Sequence, residues 1–65
     1  MTVGEIERIQ YRNMMKIRCI EAEVSRVSPF SEEFELLVNE SLRLQDEQKN
    51  LAFEKVKVIT QEQSN

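Results

Sequence analysis

Residues 30–58 read FSEEFELLVNESLRLQDEQKNLAFEKVKV. Within this stretch Phe30, Leu37, Leu44, Leu51 and Val58 recur every seventh residue. Glu33, Glu40, Glu47 and Glu54 keep the same period beside them. An apolar row in strict register, flanked by a row of carboxylates, predicts one long helix that packs lengthwise against another.

Working backward, Ser28-Pro29-Phe30-Ser31 is the one clear break in the chain. Proline turns the residue before it away from helix, so a first helix should stop near Val27. Ser28 fits an N-cap with Pro29 in the first helical position, where a missing N–H costs nothing; Ser31 is the competing cap. Glu32, Glu33 and Glu35 then fall in the first turns, where the helix dipole favours negative charge.

Upstream, Val3, Ile6, Ile17, Ile20, Val24 and Val27 form one face at three- and four-residue spacing, interrupted by Gln10 and Asn13. Thr2 and Glu5 fit a capping box at its start, weakened by Gly4. Downstream, residues 61–65 are polar and are expected to fray. The reading is a single all-α domain: helix about 3–27, turn about 28–31, helix about 29–60, folded back as an antiparallel hairpin. With the turn at Pro29, facing residues should have numbers summing to about 58. Gln10 then meets Gln48, and Asn13 comes near Leu44 and Gln45. Such a polar layer either fixes register or leaves a wet, weak middle.

Sixty-five residues make a small core. One cysteine allows no internal disulfide, and with no histidine a zinc site is not expected. Association is the remaining route to stability. The apolar inventory agrees, because one face per helix does not use it up. Tyr11, Met14, Met15, Cys19 and Ala22 lie off the first seam; Leu36, Val38, Leu42, Phe53, Val56 and Ile59 lie off the second. Tyr11, Met14, Met15, Cys19 and Leu42 are therefore the expected protein-binding residues. The expected partner is a second copy, giving a homodimeric four-helix bundle, or another helical protein.

Charge divides unevenly. Residues 1–27 carry five basic and four acidic side chains; residues 28–65 carry four and eight. The net charge of −3 argues against nucleic acid as a partner. Arg8, Arg12 and Lys16 form a ridge, expected to lie beside Glu40, Asp46 and Glu47 of the opposite helix. No apolar run reaches membrane-spanning length, so no membrane partner is expected and a cytoplasmic location is the default. No side chain is in a position to act as a tuned acid, base or nucleophile, and Cys19 is expected to be buried and inert. No catalytic residue, metal or cofactor is therefore expected, and the function class is a non-enzymatic interaction module: a regulator, adaptor or co-chaperone.

Two resemblances bear on this class. Ser31-Glu32-Glu33-Phe34-Glu35, followed by Leu37, Asn39 and Glu40, resembles the second helix of the stage-zero-sporulation E-like aspartyl-phosphate phosphatases. Their signature is Ser-Gln-Glu-Leu-Asp before a leucine-rich run, and the spacing back to Ile6-Glu7 also suits them. That resemblance implies a phosphatase acting on a phosphorylated response regulator. Here Glu32 replaces the family's glutamine and Glu35 its aspartate. The run Glu33-Phe34-Glu35-Leu36-Leu37 is similar to the small co-chaperones of type III secretion needle subunits, which implies a helical protein as ligand.

Overall fold

The chain folds into two helices, α1 (Val3–Val24) and α2 (Glu32–Gln63), which pack against each other as a hairpin. This computed structural model describes residues 1–63. The molecule is a rod of 53 × 14 × 13 Å.

Local chemistry sets the helix ends. Thr2 is extended and caps α1: its Oγ1 accepts the Glu5 N–H at 3.2 Å and donates to Glu5 Oε1 at 3.1 Å. At the far end α1 stops at Val24, short of Val27. The Ser25 hydroxyl donates to the Ala22 carbonyl at 2.7 Å, and the Arg26 N–H tightens onto the Glu23 carbonyl at 2.9 Å. These bonds offer the last carbonyls an alternative to continued helix. Val27 lies beyond the helix yet remains half-buried, so it extends the seam without extending the element.

The connection differs from the sequence expectation. Ser28 does not cap α2. It opens a hydrogen-bonded turn, in which the Ser31 N–H donates to the Ser28 carbonyl at 3.1 Å and Pro29 takes the second position, where its fixed φ fits. Ser31 is the cap instead: its Oγ accepts the Phe34 N–H at 3.1 Å and donates to the Ser28 carbonyl at 2.7 Å. Helix α2 thus begins at Glu32 rather than near Pro29. Phe30 sits in the turn, 96% exposed, and is not the first member of the apolar row. Phe34, one turn into α2, is half-buried in its place. At the other end α2 runs on to Gln63, so residues 61–63 are helical where fraying was expected; residues 64 and 65 of that expected tail lie outside the described residues.

Between the helices the seam follows one rule. On α1 it consists of Val3, Ile6, Gln10, Asn13, Ile17, Ile20 and Val24; on α2, of Phe34, Leu37, Ser41, Leu44, Gln48, Leu51, Lys55 and Val58. Steps of three and four alternate, and every one of these residues is buried or half-buried. Ile6, Leu44 and Leu51 are the buried apolar side chains among the described residues, Ile6 and Leu44 fully so. Asn13 is buried with them at 2% exposure. Its Nδ2 donates to Gln48 Oε1 at 3.3 Å, and Gln48 Nε2 donates to the Gln10 carbonyl at 2.9 Å. Asn13 therefore faces Gln48, about one turn beyond Leu44 and Gln45. The later start of α2 accounts for that shift, because it moves every facing residue of the second helix forward.

Candidate functional site

A helix turns by about 100° per residue, so the seam positions fix what each remaining residue faces. The two long sides of the hairpin come out chemically different.

One side is apolar. It carries Met14 and Tyr11 from α1, with Val38, Leu42, Ala52, Val56 and Ile59 from α2. An open depression of about 270 Å³ lies at its turn-proximal end, lined by Ile20, Glu21, Val24, Val38, Ser41, Leu42 and Gln45. Tyr11, Leu42 and Val56 are 63%, 56% and 62% exposed, so this side offers uncovered apolar surface rather than core. Its polar members include Glu7, Arg18, Glu21, Gln45 and Lys49. Lys55 Nζ reaches Glu7 Oε1 at 3.0 Å across the helices.

The other side is charged. The glutamates at 33, 40, 47 and 54 run along it on α2, with Arg12, Lys16 and Glu23 on α1. A smaller depression there is lined by Glu23, Arg26, Val27 and Glu33. Arg43 takes the acidic partners: its Nε donates to Glu40 Oε2 at 3.1 Å, and its Nη1 lies 3.7 Å from Glu47. Of the Arg8–Lys16 ridge, expected to lie alongside Glu40, Asp46 and Glu47, Lys16 comes near enough for its charge to act on Glu40, while the ion pairs of Glu40 and Glu47 are made with Arg43 within α2. The hydrogen bond from Arg43 holds the Glu40 carboxyl below its ordinary range against desolvation, and the charges of Arg43 and Lys16 add to it. Leu36, 64% exposed, and half-buried Ile9 are apolar residues on this side.

The five expected binding residues divide between these surfaces. Tyr11, Met14 and Leu42 come together on the apolar side. Met15, 42% exposed, points away from the seam at the outer edge of α1. Cys19 turns toward the charged side and is exposed, not buried as the sequence reading had it. Val38, Val56 and Ile59 join the first three. Their signal was present in the sequence as apolar residues off the seam; what was missing was which lateral side of α2 faces which side of α1.

The stretch Ser31 to Glu35 is occupied with starting α2. Ser31 caps the helix, and Glu32, Glu33 and Glu35 are exposed in its first turn. Among the described residues no three of His, Cys, Asp and Glu converge as a group that could hold a metal ion. None of the described helices is long and apolar enough to cross a membrane. Comparison with protein-family models, with curated proteins and with solved structures finds no match for this chain.

Proposed function

We propose that the chain is a protein-interaction module, a small regulator, adaptor or co-chaperone, whose work is binding rather than catalysis. Its ligand is an amphipathic helical surface laid against the side bearing Tyr11, Met14, Val38, Leu42 and Val56. The observation that carries this reading is the segregation of the two sides. Tyr11, Leu42, Val56 and Ile59 are uncovered together on one, beside the depression at Leu42, while the glutamate row occupies the other; Met15, Phe30, Leu36 and Phe53 are exposed singly elsewhere. Apolar surface gathered on one side of so small a protein is stabilised by a partner. The alternating seam also supports reading the hairpin as a short antiparallel coiled coil, a rigid platform for such a surface.

The test uses a designed amphipathic helical peptide, labelled for fluorescence anisotropy and titrated with the protein at low micromolar concentration. Saturable binding is expected, lost in Leu42→Lys and kept in Cys19→Ser, which changes the other side. Equal binding by the Leu42→Lys protein, or no binding by the unchanged protein under conditions where light scattering shows it to be a monomer, would overturn the reading.

A further inference from the structure

We propose that the natural occupant of the apolar side is a second copy of this chain, laid face to face with its long axis reversed; the proposal rests on the interaction-module reading above. Area is the first argument. The chain exposes 5161 Å². A compact monomer of 7.7 kDa exposes about 4,300 Å² on the usual size scaling. The excess, about 800 Å², matches what one partner contributes to a standard stable interface. Covering one side of the rod with an identical rod removes surface of that order from each copy.

Self-complementarity is the second argument. The Asn13–Gln48 contact marks the middle of the hairpin. Along the apolar side, residues of like kind lie about equally far on either side of that level. A two-fold axis crossing the rod there sets Val38 against the partner's Ile59, and Leu42 against the partner's Val56. On α1 it sets Tyr11 against the partner's Met14. It also brings Arg18, which makes no ion pair among the described residues, to the level of the partner's Glu7. A two-fold axis running along the rod instead sets Arg18 against the partner's Leu42 and Glu21 against the partner's Val38, burying charge against apolar surface. The reversed arrangement brings Lys49 toward the partner's Lys49 at the axis but otherwise sets apolar against apolar, and is the one that this pattern selects.

The experiment has two parts. Light scattering over a hundredfold concentration range should give twice the monomer mass, and Leu42→Lys should give the monomer mass. Far-UV circular dichroism checks that helicity survives, and Val56→Lys serves in its place if Leu42→Lys fails to fold. Then, with Cys19→Ser as background, proteins carrying Val38→Cys and Ile59→Cys are oxidised separately and mixed. A mixed disulfide dimer, formed much faster than either protein links to itself, is expected. A monomer at every concentration, or a dimer without the mixed link, overturns the proposal. If that monomer still binds the helical peptide, the interaction-module reading stands and only the identity of the partner is lost.

Discussion

Asn13 is the residue on which the register turns. It occupies a seam position where an apolar side chain would stabilise more, and it is buried. Its amide is nonetheless satisfied by Gln48, and Gln48 in turn by the Gln10 carbonyl. Every fully buried side-chain nitrogen or oxygen among the described residues has a partner. This favours the register-fixing reading over a wet defect, because Asn13 is buried and bonded across the helices, while Gln10 and Gln48 beside it are half-buried. The meeting of Gln10 with Gln48 was legible from the turn position alone. The Asn13–Gln48 bond was not, since it depends on a shift of a few residues in where α2 begins. Asn13→Ala removes one bond and leaves Gln48 Oε1 without its partner in a half-buried place. The expected loss is about 1–3 kcal/mol, read as a lower midpoint in urea denaturation. No loss would mean that the layer contributes nothing to stability.

At the scale of the element, the helices themselves were legible and their ends were not. Seven-residue periodicity over four turns or more is a strong signal, and breaker-free stretches on both sides of Pro29 left little choice of secondary structure. Ends are decided by single hydrogen bonds between near-equivalent candidates. Ser28 and Ser31 both suit a cap by composition, and Pro29 would be accommodated with either. Ser28 goes instead to the turn because Pro29 also suits its second position, and Ser31 then inherits α2. Phe30 shows the hazard of extending a period past a break: it matches the seven-residue row in sequence, but no helix carries it into the seam. The assignment of the cap predicts an asymmetry. Ser31→Ala should cost about 1 kcal/mol, the usual loss for a removed N-cap hydroxyl. Ser28→Ala removes only the bond from the Phe30 N–H to its hydroxyl, in an exposed turn, and should cost less. Denaturation midpoints of the two variants measured side by side decide the matter, and the reverse order would return the cap to Ser28.

The whole molecule is governed by its thinness. Its radius of gyration is 15.4 Å, against about 11 Å for a compact chain of this length. Among the described residues only Ile6 and Leu44 of the apolar side chains are fully withdrawn from water, with Leu51 nearly so. A core so small supplies little stability of its own, which is why a second layer matters. Association was an expectation from length and missing staples; which side it would use could not be expected, because lateral sidedness exists only once two helices are set against each other. Lys49 offers the sharpest test at this scale. It stands near the centre of the apolar side, so in the reversed dimer two lysines approach each other at the axis. Like charges at close approach oppose assembly. Lys49→Leu removes that repulsion and completes the apolar stripe between Leu42 and Val56. The dimer dissociation constant should fall by at least about tenfold, equivalent to about 1.4 kcal/mol. Because only the folded chain dimerises, the thermal midpoint of the unchanged protein should rise with concentration, and that of Lys49→Leu should lie above it at every concentration. If the side is instead open to solvent, Lys49→Leu adds one more exposed apolar group, the midpoints stay flat with concentration, and the variant gains nothing.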